Sequence, residues 1–206
     1  MRDLAAGLAL GLSVLCTGAS AQGEPANAVL LVARPDLPDP RFRETVILAT
    51  QTPDGSTVGV ILNRPSSLSL SDIVADEDLA DLAENYEDPV YYGGPVLGRT
   101  LIALFESDEP PAGPAFHVLK DTYLSMQPAL IESLLSQDEA GYRLYAGFCG
   151  WAPGQLRREL ERGDWYPLPA TPELLFREDT KRMWDELLEQ ARGRRVSADP
   201  AAILPS

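Results

Sequence analysis

The sequence has little of the chemistry on which most catalytic and metal sites depend. Its 206 residues include one histidine and two cysteines, and the carboxylates show no recognisable metal-ligand spacing. The serine motif GxSxG, the phosphate-loop ending GK[ST] and the dinucleotide motif GxGxxG do not occur. We therefore expect no metal, no cofactor and no catalytic residues, which predicts a non-enzymatic protein.

Positive charge is also scarce. Lys and Arg number 17 against 31 Asp and Glu, which gives a net charge of −14. Contacts to phosphates require a concentrated positive surface, so direct nucleic-acid binding is not expected. The acidic run between Asp72 and Asp88 lacks the ligand alternation and the glycine of a calcium loop, and we interpret it as a solvated face.

No apolar run is long enough to span a membrane as a stable helix. Residues 4–16 are apolar, but they have the length of a signal-peptide core, and the small-x-small sequence Ala-Ser-Ala ends at residue 21. We expect residues 1–21 to be a signal peptide and residues 22–206 to form one exported, periplasmic domain, with a cytoplasmic location as the alternative. Cleavage leaves Cys149 alone, so an internal disulfide is excluded and the domain depends on its core.

The rest of the pattern predicts a mixed α/β domain rich in hairpins. Asp54-Gly55 separates two β-branched runs, residues 44–52 and 57–62, which is a strong hairpin signal. Residues 69–85 form an imperfect helical stripe, with Ser69 and Asp72 as a capping box. Further strands are predicted at residues 28–33, 90–92, 100–106, 115–120, 142–148 and 165–168, and further helices at residues 125–136 and 180–191.

The segment YAGFCGWAPGQLRRELERGDW, residues 145–165, carries the strongest local pattern. Pro153 suits the first position of a helix, which makes Ala152 the expected cap residue. Gln155 then occupies the third helical position, where its side chain reaches back to the cap N–H. The same spacing places Trp151 against the leucine that follows Gln155, as a hydrophobic staple.

Three interpretations of this segment are open. In the structural one, Gly147 and Gly150 let a strand leave the sheet tightly, Gly163 ends the helix, and Cys149 is a small apolar residue. In the second, free backbone N–H groups at the helix start bind an anion or a small ligand. In the third, Cys149 is a nucleophile activated by His117, although nothing in the sequence brings the two together.

Together these motifs resemble the YqgE/AlgH family of bacterial proteins. The similarity covers about residues 28–190, from LLVARPDLPDPRFRETVIL through GSTVGVILNRP, YYGGPV and GFCGWAPGQLRRELERGDW to the C-terminal helix with Trp184. It implies an α/β domain of the α+β type, with a mainly antiparallel, bifurcated sheet curled into a pseudo-barrel and flanked by helices. It implies no activity. A role in the regulation of exopolysaccharide synthesis was proposed for some members, without a recognisable DNA-binding motif.

Two features depart from that family. Its members usually lack a signal peptide and are taken to be cytoplasmic, so residues 1–21 bear on both location and any regulatory role. Relatives more often hold Ala, Ser or Gly at the position of Cys149, which weakens the interpretation of this residue as a nucleophile.

We expect a binding or regulatory domain whose partner is an unidentified protein or a small anionic ligand. A thiol-dependent enzyme using Cys149, and a transcriptional regulator acting without direct DNA contact, are the alternatives. Loops at strand ends tend to carry function, and three of them are rich in glycine, proline and amides. The candidate binding residues are therefore Asn63, Arg64, Gly93, Gly94, Pro95, Gly147, Gly150, Trp151, Gly154 and Gln155.

Overall fold

A computed structural model describes residues 27–74, 77–137 and 141–194 of the chain. The expected signal peptide, residues 1–21, lies outside them. The strands are β1 (Ala28–Ala33), β2 (Val46–Gln51), β3 (Thr57–Ile61), β4 (Tyr91–Tyr92), β5 (Val96–Glu106), β6 (Phe116–Leu119), β7 (Thr122–Ser125), β8 (Tyr142–Trp151) and β9 (Trp165–Pro169). The helices are α1 (Leu70–Ile73), α2 (Glu77–Glu84), α3 (Pro128–Leu135), α4 (Gln155–Arg162), α5 (Pro172–Leu175) and α6 (Met183–Arg194).

The strands form one sheet that divides at β8. Its order is β6-β7-β5-β8-β3-β2-β1-β9, and the short β4 pairs with β8 in parallel while the other pairs are antiparallel. Residues 142–148 of β8 lie along β5, and residues 149–151 continue along β3. The sheet curls into a half-barrel. The predicted mainly antiparallel, bifurcated sheet with flanking helices is therefore confirmed.

Both faces of the sheet are buried around β1, which explains its continuous apolar sequence. Successive side chains of a strand point to opposite faces. Leu30 and Val32 therefore pack in one core with the buried residues of α6, whereas Leu31 and Ala33 pack in a second core with Trp165. A third core lies between α1, α2 and α3 and the faces of β5 and β8 that they cover. Packing in these three cores stabilises the fold, and Cys149 is a free cysteine that forms no disulfide.

Local turn and capping signals are realised as predicted. β2 and β3 form the hairpin around Asp54-Gly55, and Gly55 adopts a φ of 82°, which a turn of this kind requires. At α1, the Ser69 side chain accepts from the backbone N–H of Asp72, while the Asp72 carboxylate accepts from the N–H of Ser69. The capping box thus fixes the start of the helix.

The predicted helix over residues 69–85 is wrong in its length, because the chain forms two helices there. Val74 has an extended backbone with ψ of 123° and caps the end of α1. The buried residues Ile73 and Leu79 are six positions apart, a step that does not fit the helical period. The imperfect stripe was the combined pattern of two short helices.

Other boundaries also differ from prediction, and β8 ends at Trp151 rather than at residue 148. β5 begins at Val96 rather than residue 100, and its register with β8 shifts between Val96 and Leu101. Residues 122–125 form β7, whereas the sequence predicted that a helix begins at residue 125. The helix α3 begins at Pro128, and the fixed φ of proline suits the first turn of a helix. α6 spans Met183–Arg194, three residues later than predicted at both ends.

Candidate functional site

Glycines join the predicted segments 93–95 and 147–155 at a close backbone crossing. The N–H of Gly93 donates to the carbonyl of Ala146 at 2.8 Å. A Cβ on Gly93 would lie 2.1 Å from the carbonyl oxygen of Gly147, and one on Gly94 would lie 2.3 Å from the backbone of Phe148. Gly93, Gly94 and Gly147 are buried. The close approach of these two backbone segments leaves no room for a side chain, which explains why glycine occupies these positions.

Asn63 and Arg64 hold the loop that precedes β2. The Asn63 side chain accepts from the N–H of Val46 and donates to the carbonyl of Glu44, both at 2.9 Å. The Arg64 guanidinium donates to the carbonyls of Arg41 and Arg43 at 2.7 and 3.0 Å. These contacts between residues about twenty positions apart fix residues 41–46 beside the glycine crossing.

The corner between β8 and α4 is locked by one carboxylate. Oε2 of Glu159 accepts hydrogen bonds from the indole nitrogens of Trp151 and Trp165 at 2.8 and 3.0 Å. Its Oε1 accepts from Nε2 of Gln155 at 2.9 Å. β8, α4 and β9 are thus tied together through a single side chain, and indoles that are largely buried find their required partner.

The start of α4 differs from prediction by two residues. Gly154, with φ of 73°, is the N-cap, and Ala152 and Pro153 belong to the preceding turn. A proline suits the second position of a turn as well as the first position of a helix, which explains the error. Gln155 nevertheless reaches back, because its Oε1 accepts from the N–H of Ala152 at 3.1 Å.

The predicted end of α4 is confirmed, since Gly163 ends the helix with φ of 80°. The predicted hydrophobic staple is wrong in its register, because with Gly154 as the N-cap Leu156 is the second helical residue and not the fourth. Trp151 and Leu156 nevertheless lie in one buried core, with Leu160 against it. The helix is therefore anchored at both ends and along its inner face.

A cleft of about 360 Å³ opens between this corner and the loop held by Asn63 and Arg64. We call it the corner cleft. Aromatic rings form its floor, since Phe42 and Trp165 meet edge to face at 5.9 Å, as do Trp151 and Trp165 at 6.4 Å. Residues that line it are Leu37, Pro38, Asp39, Arg41, Phe42, Pro95, Val96, Gly150, Trp151, Gln155, Glu159, Arg162, Asp164 and Trp165.

Charges of both signs surround the cleft, and the arginines are paired. The Arg41 guanidinium contacts both oxygens of Asp39, at 3.0 and 2.6 Å, and this contact lowers the pKa of Asp39. Arg162 forms the equivalent pair with Asp164. An added anion would have to compete with a carboxylate that is already in place.

Four of the ten predicted site residues line the cleft: Pro95, Gly150, Trp151 and Gln155. Gly154 is exposed on the adjoining turn, and the remaining five lie behind the cleft, in the glycine crossing and the loop support. The sequence did not indicate Arg41, Phe42 or Trp165 as part of a site. Glu159 lies inside the motif GQL-x-x-E-L, four positions after Gln155. Residues at that spacing are neighbours on a helix, so the sequence could have indicated a contact between Glu159 and Gln155.

Cys149 lies in the core beneath this region. The residue is 1% exposed, and its thiol donates to the carbonyl of Gly93 at 3.4 Å. Burial raises the pKa of Cys149 to about 12, against a smaller opposite effect of Arg64. His117 lies on β6, which β7 and β5 separate from β8 in the sheet. The structure does not bring the cysteine and the histidine together as a catalytic pair would require.

Within residues 27–74, 77–137 and 141–194, no group of three or more His, Cys, Asp or Glu side chains is arranged to hold a metal ion. Within the same ranges, no helix is long and apolar enough to cross a membrane.

The fold and this corner define a mixed α/β domain with a half-barrel sheet and a tryptophan-lined strand-to-helix turn. Residues 30–195 match the model of the AlgH-like family, DUF179. The chain belongs to this AlgH-like family.

Relatives and solved structures agree with that assignment. A UPF0301 protein of Thermobifida fusca is 35% identical over 182 residues, covering 81% of this chain and 87% of the relative, and one of Anaeromyxobacter dehalogenans is 33% identical over 181 residues, covering 84% and 89%. The solution structure of AlgH from Pseudomonas aeruginosa matches with a TM-score of 0.62 and 24% identity, over 87% of this chain and 92% of AlgH. A crystal structure of a Corynebacterium diphtheriae protein matches with a TM-score of 0.60 and 25% identity, over 86% and 90%.

Proposed function

We propose that the chain is a non-catalytic AlgH-like domain that binds a partner protein at the corner cleft. The observation that carries this proposal is that Leu97 is exposed and has a strained backbone conformation. Its side chain is 65% exposed, and its φ is 46°, in the left-handed region that favours glycine. An exposed leucine on a strained backbone contributes little to folding, and such strain is typically kept where a site needs it. Leu97 directly follows Val96, which lines the cleft and is itself 36% exposed.

The lining of the cleft favours a protein over a small anion. Tryptophan and arginine are the residues that most often carry the binding energy of protein interfaces. Trp151, Trp165 and Arg41 line the cleft beside the exposed Val96 and Leu97. Because the cleft arginines are already paired with aspartates, a partner that brings apolar surface and its own charges fits better than a lone anion.

The alternative of a thiol enzyme has less support. A nucleophilic cysteine needs an accessible thiolate, and Cys149 is buried with a pKa of about 12. A regulatory role that acts through protein contact, without direct DNA contact, is compatible with the net charge of −14. We further propose that the domain acts after export, because residues 4–21 have the pattern of a signal peptide.

Site-specific photocrosslinking in cells tests the location of the interface. A photoreactive residue at position 97 should capture one defined protein. The same residue at position 68 serves as the control. Leu68 is also an exposed leucine, at 49%, but neither it nor its chain neighbours line the cleft, whereas Leu97 directly follows the lining residue Val96. Identical adducts from the two positions, or none from position 97, would contradict the proposal.

The captured protein is then purified and its affinity measured. Leu97→Asn removes the apolar side chain while asparagine tolerates the left-handed backbone, so it should weaken binding about tenfold or more without lowering the free energy of unfolding. Leu68→Asn should leave the affinity unchanged. Equal affinities of the wild type and Leu97→Asn would argue against the cleft as the interface.

A further inference from the structure

A second cavity, of about 330 Å³, lies between the helices α1, α2 and α3 and the strand β5. We call it the apolar cavity. The helices contribute the buried side chains of Ile73, Leu79 and Ile131, and the half-buried Leu101 and Met126 line it as well. Its volume is within the range of small-molecule sites, about 300–1,000 Å³. These walls offer a ligand hydrocarbon contacts and few hydrogen bonds.

An irregularity in β5 forms one wall of the apolar cavity. The register of β5 with β8 shifts between Val96 and Leu101, where residues 97–100 lie opposite residue 147 of β8. Bulges of this kind bend a strand, re-aim its side chains and are frequent beside functional sites. Arg99 and Thr100 lie in this shift, and both line the cavity. The irregularity thus brings a cation to a wall that is otherwise apolar.

The guanidinium of Arg99 is available to a ligand. Arg99 is exposed, and none of the ion pairs within the described part of the chain involves it. The described lining includes no carboxylate, and apart from Arg99 and Thr100 it is apolar. In ligand sites of this kind, a few polar groups fix the orientation of a ligand whose body contacts apolar walls. The charge therefore complements an amphiphile with one anionic end.

We propose that the apolar cavity binds a medium-chain fatty acid. The hydrocarbon chain lies among Ile73, Leu79 and Ile131, and the carboxylate pairs with Arg99. A methylene group is similar in size to a water molecule, about 30 Å³, so the cavity holds a chain of roughly ten carbons. The flexible side chain of Met126 adapts to the shape of the chain. The apolar cavity and the corner cleft share no described lining residue, so this proposal stands apart from protein binding.

Isothermal titration calorimetry of the full-length protein with decanoate, at about 0.15 M salt, tests the proposal. Octanoate has two methylenes fewer and should bind about fifteenfold more weakly. Decylammonium should also bind more weakly than decanoate, although the net charge of −14 favours cations over the surface as a whole. Absence of binding at about 1 mM decanoate, or decylammonium binding as tightly as decanoate, would overturn the proposal.

A charge reversal tests the position of the carboxylate. Arg99→Glu should weaken decanoate binding about fivefold or more, and decylammonium should then bind more tightly than decanoate. Arg157→Glu is the matched control, because it makes the same change of charge at an exposed position outside the cavity lining. It should leave the preference for decanoate unchanged. Equal effects of the two variants would overturn the pairing with Arg99.

Filling the apolar cavity tests the position of the hydrocarbon chain. Thr100 is half-buried on β5, and strands favour aromatic residues, so Thr100→Phe should keep the melting temperature close to that of wild type. Its ring occupies the cavity and should weaken decanoate binding about tenfold or more. Val58→Phe, at a half-buried position of β3 outside the lining, should keep the wild-type affinity. Wild-type affinity in Thr100→Phe would overturn the proposal.

Discussion

The indole nitrogen of Trp151 donates a 2.8 Å hydrogen bond to the carboxylate of Glu159, eight residues later in the chain. Since Trp165 donates to the same oxygen, removing the carboxylate leaves two largely buried N–H groups without an acceptor. We expect Glu159→Ala to lower the free energy of unfolding by about 2–3 kcal/mol, and Glu159→Gln, which keeps one acceptor oxygen, by about 1 kcal/mol. Urea denaturation followed by circular dichroism measures both.

The control for this prediction is Glu161→Ala on the exposed side of the same helix, which should change the free energy of unfolding by less than about 0.5 kcal/mol. Equal, small effects of Glu159→Ala and Glu161→Ala would show that the corner is not held by this carboxylate.

The glycine crossing predicts a steric effect at one position and none at another. Gly93→Ala places a Cβ 2.1 Å from the carbonyl oxygen of Gly147, and no rotamer change relieves the clash because the backbone fixes the position of the Cβ and the oxygen belongs to the backbone. We expect a loss of about 3 kcal/mol or more in the free energy of unfolding. Gly98→Ala, where no atom lies within 4 Å of the added carbon, should stay within about 0.5 kcal/mol of wild type. Comparable stabilities of the two variants would contradict the close backbone approach at Gly93.

The buried thiol makes stability depend on alkaline pH. The pKa of Cys149 rises from 9.0 to about 12 on folding, so between these values the folded state binds more protons than the unfolded state. Stability contributed by this group is therefore complete below pH 9 and is lost as the pH rises toward 12. Wild type should lose stability between pH 9 and 11 more steeply than Cys149→Ala, measured by urea denaturation.

Alkylation gives an independent measure of the same thiol. Iodoacetamide at about pH 8 should modify Cys149 only in unfolded protein, since the thiolate is the reactive form. Rapid labelling of the native protein would instead support the thiol enzyme.

The signal-peptide pattern predicts where the mature chain begins. Fractionation of cells and N-terminal sequencing should find the protein in the periplasm with Gln22 as its first residue. Replacing the small residue before the cleavage point, Ala21→Tyr, should block processing and leave a larger form. An intact Met1 in the cytosol would be incompatible with export.

Contacts between residues close in sequence could be predicted, because they follow from local geometry. The Ser69–Asp72 capping box and the reach of Gln155 each span three residues, and both are present. The Asp54-Gly55 hairpin depends only on turn chemistry and flanking β propensity. Gly154 was missed as the cap because Pro153 fits two adjacent conformations equally well.

Contacts set by the tertiary fold could not be predicted. β9, which carries Trp165, pairs with β1, a strand more than 130 residues earlier in the chain, and the hydrogen bond from Trp165 to Glu159 spans six residues, which is neither a helical nor a strand spacing. Phe42 lines the cleft from a loop that is held by Asn63 and Arg64, which follow β3 and lie about twenty residues later in the chain. Neither relationship leaves a periodic pattern in the sequence, since each depends on which strands become neighbours. Leu97 could not be predicted either, because it lies where the register of β5 with β8 shifts, between Val96 and Leu101.

Because β8 pairs with β5 in one half of the sheet and with β3 in the other, we expect that opening of β8 disrupts both halves. Residues 142–148 then lose their pairing with β5, and residues 149–151 lose theirs with β3. The amide hydrogens of β8 should therefore exchange with solvent only through global unfolding, at the slowest rate in the molecule, while those of β6 at the sheet edge exchange through local opening. We therefore expect opening to begin at the edge strand β6 and to involve both halves of the sheet once β8 opens.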